Sequence, residues 1–203
     1  MHILLLAVLL FFTFFSFAKK PIDVSIQNQT IYRTKEVLLA PMSEDISLGQ
    51  TNAKVKVVVF DSYSCIHCGK FYEELFPILD QNYITTGKVH FVNKEFPIDS
   101  YAVFATKAVQ CSPDKFTALK TVYKNQEQWL SSNNYEEYLV KLTNANKACI
   151  EKYDEKAAQK TAFEYSKVLN LKATPTVFIN GKQLEKLSKQ NLLEEIEKQL
   201  KAS

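Results

Sequence analysis

The 203-residue chain reads as an α/β domain interrupted by a block of helices. Three observations predict that class. A nearly continuous β-branched run, "VKVVVF" at 55–60, passes straight into apolar residues at helical spacing. An alternating segment, "KVHFVN" at 88–93, precedes a long stretch whose apolar residues recur only at helical spacing. A strand-and-turn signal, "TVFING" at 176–181, then leads into an amphipathic C-terminal helix. The order is strand, helix, strand, helices, strand, hairpin strand, helix.

In chain order, the first segment is "ILLLAVLLFFTFFSFA", Ile3 to Ala18, with Thr13 and Ser16 as its polar interruptions. It falls short of the ~20 residues a bilayer span needs and has the length of a signal-peptide core. Ser16 and Ala18 place small residues where a peptidase reads, so residues 1–18 are expected to be a signal peptide cut before Lys19. No Lys or Arg precedes the run, and Lys19 and Lys20 follow it, which keeps an uncleaved membrane anchor as the alternative. Either way the body is expected to be exported, where cysteines meet an oxidising compartment. Residues 19–45 read as a polar lead-in with one apolar patch at Val37, Leu38 and Leu39.

The 55–60 run has the composition of a strand buried on both faces. Cys65, Cys68, Phe71, Tyr72, Leu75, Phe76 and Leu79 follow at helical spacing, with Pro77 expected to kink that helix. The 88–93 segment is the second strand. Ala102, Ala105, Ala108 and Val109 mark a helix, and Ser112-Pro113-Asp114 is expected to cap the next at Ser112. Asn134 with Glu137 resembles a capping box, and a further helix is expected over about 155–170. Thr176–Ile179 reads as a strand, Asn180-Gly181 as a hairpin turn, and Leu192, Leu193, Ile196 and Leu200 as the buried side of the last helix.

The formal charge of +3 is too small to mark nucleic acid or anionic lipid as a partner. Arg33 is the only arginine, so the bidentate forks that read phosphates and bases are missing. The chemistry lies in "YSCIHCGKFY", 63–72. A zinc or copper site needs more ligands than Cys65 and Cys68, and Cys111 and Cys149 are far apart in sequence. Haem attachment wants histidine after the second cysteine, and Gly69 is there. A structural disulfide across so short a loop gains little chain entropy. A redox pair fits the placement. Backbone N–H groups at a helix start stabilise a thiolate on Cys65, while Cys68, one turn inside, is sheltered and resolves the mixed disulfide. His67 is expected to add positive charge or a hydrogen bond to that thiolate. His90, in an apolar strand, reads as merely packed.

"CIHC" after a strand, together with "ATPTVFINGK" at 173–182 and helices between, resembles the DsbA family of exported thiol–disulfide oxidoreductases over about Ile46 to Leu200. The resemblance implies a thioredoxin-like fold, at 46–98 and 171–203, with an inserted α-helical domain at 99–170. It implies that Pro175 is cis and packs beside the Cys65–Cys68 pair, and that Thr174 presents its backbone to an extended substrate. It implies no cofactor and no metal. The implied partners are unfolded or reduced exported proteins and a membrane redox protein, DsbB-like, that recycles the dithiol of a periplasmic monomer. A disulfide isomerase or reductase of the same fold, and a copper- or zinc-binding module, remain the rival readings. Many relatives carry an acidic residue six positions before the first cysteine, where this chain has Val59. Asp61 is expected on the other side of the strand, which leaves the acceptor of the Cys68 proton open. Cys111 and Cys149 are expected to form a structural disulfide within the insertion, with a second redox pair as the alternative.

Overall fold

The computed structural model describes residues 33–202; the signal-peptide expectation for 1–18 and most of the lead-in fall outside them. Five strands form one sheet in the order β1-β3-β2-β4-β5. The strands are β1 (Ile46–Leu48), β2 (Val55–Asp61), β3 (Val89–Glu95), β4 (Thr176–Ile179) and β5 (Lys182–Gln183). Only β2 and β3 run parallel; β1 pairs antiparallel with β3, β4 with β2, and β5 with β4. Central β2 has neighbours on both edges and helices over both faces, which is why its sequence is almost uninterruptedly apolar. The β4–β5 turn puts Asn180 and Gly181 at φ 46° and 80°, the left-handed pair that a two-residue hairpin requires.

Residue parity along β2 divides the core. Val57 and Val59 face one cluster with Phe71, Phe76, Leu79, Leu192 and Ile196. Val58 and Phe60 face another with Leu38, Tyr165, Leu169 and Phe178. Each such side chain removed from water contributes about 1.5–3 kcal/mol. The first face carries α2 (Ile66–Lys70) and α3 (Phe76–Leu79), which continue one another through a wide i→i+5 turn at Phe71–Leu75, with a second such turn at Asp80–Ile84 after α3. Pro77 supplies no N–H to this run, and the wide turns take up the interruption. The C-terminal helix α10 (Lys189–Lys201) covers the same face.

The second face carries α1 (Lys35–Leu39) and α9 (Glu155–Leu169), tied by Arg33 Nε to Glu164 at 2.7 Å. Two differences from expectation appear here. The 37–39 patch is a helix that seals the sheet with Leu38 and Leu39. Helix α9, expected within the insertion, packs through Tyr165 and Leu169 on the sheet. Tertiary packing decides both, because an amphipathic stripe does not name its partner.

The insertion proper is α4 (Ser100–Gln110), α5 (Lys115–Lys124), α6 (Gln126–Leu130), α7 (Tyr135–Thr143) and α8 (Lys147–Lys152). Asp114, not Ser112, caps α5 by accepting from the Thr117 N–H at 3.0 Å; Ser112 Oγ instead donates to the Thr143 carbonyl at 2.9 Å. A disulfide joins Cys111 to Cys149, Cα to Cα 5.6 Å, and the Asn146 N–H donates to the Cys111 carbonyl at 3.0 Å beside it.

Candidate active site

β2 ends at Asp61, the chain turns through Ser62–Ser64, and Cys65 stands at the N-cap of α2 with extended backbone, φ −78° and ψ 116°. The Cys68 and Gly69 N–H groups donate to the Cys65 carbonyl at 3.0 and 3.1 Å and start the helix. Helix α6 braces the turn: Gln126 Nε2 donates to the carbonyls of Tyr63 at 2.6 Å and Cys65 at 3.0 Å. Gly69 leaves room for this brace, because a Cβ there would meet Gln126 Oε1 and the glutamine side chain would have to shift.

Cys65 and Cys68 are free thiols, the first half-buried and the second fully buried. The Thr174–Pro175 bond is cis, and the Cys65 thiol donates to the Thr174 carbonyl at 3.3 Å. Hydrogen bonding from Cys68 pulls the Cys65 thiol down from an ordinary 9.0 to about 5; the Thr174 side chain and the backbone N–H groups of Cys68 and His67 add to it, and partial burial opposes it. Burial pushes Cys68 far up, reinforced by Cys65 and by the charge on Asp61. One sulfur is therefore a half-buried thiolate at neutral pH, and its neighbour a sealed thiol. The His67 ring is exposed; its residue reaches Cys65 through the backbone N–H, where sequence reasoning looked to the imidazole.

Asp61 does not lie on the other side of the strand from Val59. Residues two apart share a strand face, so Asp61 follows Val57 and Val59 toward the helix layer and ends fully buried. Its Oδ2 accepts from Asn93 Nδ2 at 2.7 Å, and the same amide also donates to the Tyr72 hydroxyl at 3.0 Å. Burial raises Asp61 to about 7; Tyr72, Asn93 and Tyr123 oppose the rise and charge on Cys65 adds to it. Glu95, its register partner on β3, is pushed up by burial and by Asp61. Among the described residues no cluster of three or more His, Cys, Asp or Glu side chains has metal-holding geometry. A cavity of about 720 Å³ opens beside Ile66 and Gly69, with Tyr72 and Phe76 in its wall and Lys70, Glu73 and Lys120 at its polar edge.

A family model described as Thioredoxin matches residues 42–202. The chain belongs to the thioredoxin family. Within this family it is 27% identical over 194 residues to a Rickettsia bellii protein named "Putative protein-disulfide oxidoreductase", covering 90% of this chain and 74% of that one. It is 26% identical over 169 residues to Disulfide bond formation protein D of Bacillus subtilis, covering 76% of each. Among solved structures, Wolbachia pipientis alpha-DsbA1 superposes with TM-score 0.68 at 23% identity, covering 83% of this chain and 96% of that one. It shares the thioredoxin-like fold with helical insertion described above.

In this thioredoxin-family chain, Cys65, Cys68, Thr174 and Pro175 come together as their motifs implied, and Cys111 and Cys149 form their own bridge away from them. Sequence reasoning missed three residues. Asp61 carried a readable signal, its parity with Val59. Gln126 lies in a helix too short to show periodicity. Glu95 lies just past the recognised alternation of 88–93, and only strand pairing reveals its neighbour.

Proposed function

We propose that this protein-disulfide oxidoreductase of DsbA type is exported and acts as an oxidant on unfolded secreted or periplasmic chains. A substrate thiolate attacks Cys65 Sγ of the oxidised pair, the Cys65–Cys68 bond breaks, and Cys68 leaves and takes up a proton. A second substrate thiolate attacks the substrate sulfur of the mixed disulfide and expels Cys65 as thiolate. The substrate dithiol is oxidised by two electrons, and the Cys65–Cys68 disulfide is reduced to the dithiol. Backbone pairing of an extended substrate at Thr174 would need little side-chain selectivity, which suits many substrates. Recycling falls to a disulfide-bearing membrane partner of the DsbB kind.

The observation that carries this reading is the asymmetry of the two sulfurs. A thiolate held at low pKa is a good leaving group and favours the reduced enzyme, so the couple is drawn toward the oxidising side. The test is the glutathione equilibrium of Cys65–Cys68 together with trapping by Cys68→Ala. A potential well above that of thioredoxin, with substrate adducts mapping to Cys65, is expected. A potential as low as that of thioredoxin would make it a reductase, and adducts mapping to Cys68 in Cys65→Ala would reverse the roles.

A further inference from the structure

Gln126 is where the helical insertion bonds to the main chain of the redox turn. It opens α6 directly after Asn125, which ends α5 and starts α6. That junction is held on the insertion side. Trp129 is fully buried, and its Nε1 donates to the Val122 carbonyl at 3.0 Å. Asn125 Nδ2 donates to the Thr121 carbonyl at 2.7 Å. Toward the turn, the Tyr123 ring packs on the Tyr63 ring with centroids 5.1 Å apart. The Gln126 amide then gives a proton to each of two carbonyls, Tyr63 at 2.6 Å and Cys65 at 3.0 Å. The reversed amide would set Oε1 against both carbonyl oxygens, so these two contacts fix its orientation.

The Cys65 carbonyl is also where α2 begins, accepting from the Cys68 and Gly69 N–H groups. Most of the groups that hold the Cys65 thiol low lie on that first turn. The Cys68 thiol contributes most, the Thr174 side chain follows from β4's approach, and the backbone N–H groups of Cys68 and His67 complete the set. How the donors of α2 meet the sulfur depends on where the Cys65–Ile66 peptide plane points, and Gln126 holds its oxygen. Donors aligned on a sulfur gain about twice as much from a charged acceptor as from a neutral one. The thiolate of the reduced pair is charged and the sulfur of the disulfide is not. Fixing the turn therefore favours the reduced dithiol, and whatever favours the reduced form makes the disulfide a stronger oxidant.

We propose that Gln126 is a positioning residue for the redox reaction, through which the helical insertion fixes the first turn of α2 and so sets the oxidising strength of the Cys65–Cys68 couple. Gln126 bonds to main-chain oxygens and acts on the sulfur through the donors of α2. The insertion thereby takes a part in the chemistry of the pair as well as covering it.

This role rests on the dithiol reading above, and one experiment separates the two. Wild type, Gln126→Met and Gln126→Glu are equilibrated with glutathione at pH 7, where two glutathione thiols reduce the Cys65–Cys68 disulfide and leave as one oxidised glutathione. The thiolate midpoint and the melting temperature are measured on the same proteins. Gln126→Met keeps the length and supplies no donor. Its equilibrium should move about tenfold toward the disulfide, about 30 mV more reducing, and its Cys65 midpoint should rise from about 5 to ~6. Gln126→Glu keeps the shape but sets an acceptor against the two carbonyls, and should move both readings at least as far. Trp129→Phe, which loosens the same junction without touching the turn, should melt lower with both readings at the wild-type value. Gln126 variants that melt lower with equilibrium and midpoint unchanged overturn the proposal, as does a Trp129→Phe shift equal to that of Gln126→Met. Should the Gln126 variants fail to fold, the wild type decides through linkage, since a brace that favours the dithiol is itself favoured by it. The Gln126 side-chain amide protons should exchange more slowly in the reduced protein than in the oxidised one, and equal rates overturn the proposal. A wild-type Cys65 midpoint near the ordinary 9.0 would instead overturn the oxidant reading, and this role with it.

Discussion

A Cys65 thiol held at about 5 makes a quantitative prediction about reactivity against pH. The perturbation is a fall in pH from 8 to 5 on the reduced protein, read by iodoacetamide alkylation and thiolate absorbance. At pH 7 a group of pKa about 5 is ~99% thiolate and one of pKa 9 about 1%, a gain of ~100-fold. Intrinsic nucleophilicity falls with pKa at a slope of about 0.4–0.5, so four units cost ~40–100-fold. The two effects nearly cancel at pH 7, and Cys65 should alkylate about as fast as an ordinary cysteine there. At pH 5.5 the thiolate advantage grows to ~2000-fold while the nucleophilic cost is unchanged, leaving roughly 20–60-fold in favour of Cys65. The rate should be flat from pH 8 to 6 and fall below. The same group stabilises the reduced fold fully above the unfolded thiol pKa, and that contribution is lost as pH falls through about 5. His67→Ala keeps the backbone N–H, so the midpoint should stay near 5. An alkylation rate that climbs about tenfold per pH unit from 6 to 8 would refute the thiolate argument, and a midpoint that rises with His67→Ala would return the role to the imidazole.

Removing the Cys111–Cys149 bridge by double substitution to Ala frees a loop of 38 residues, worth about 4 kcal/mol in the chain-entropy treatment; urea unfolding should show that loss or less, because the Asn146–Cys111 backbone bond survives. Gly69→Ala drives Gln126 from the Tyr63 and Cys65 carbonyls, and loss of two hydrogen bonds of about 1 kcal/mol each should appear both in thermal melts and as slower thiol exchange. Lys94 and Asp45 form a fully buried ion pair, so Lys94→Met alone should cost about 3–5 kcal/mol at pH 7, while Lys94→Met with Asp45→Leu should recover most of it. A double variant no more stable than the single one in denaturant titration would contradict the desolvation argument.

The amino-acid sequence by itself determined what depends on neighbours along the chain. The β-branched run of 55–60 had the composition of a strand covered on both faces. The Cys65–Cys68 spacing at a strand-to-helix junction dictated which sulfur would stand at the helix start and which would be enclosed. Asn180-Gly181 specified its hairpin because few other pairs accept positive φ twice. What crosses between strands or between helices was not legible. Periodicity says that α9 has an apolar side but not that this side covers Phe60. No local pattern couples Asp61 to Glu95, since that contact exists only because β2 and β3 lie parallel in one register. The tertiary structure alone decided the proton chemistry, because the protonation of a buried carboxyl is set by what surrounds it in space, and those surroundings arrive from distant parts of the chain.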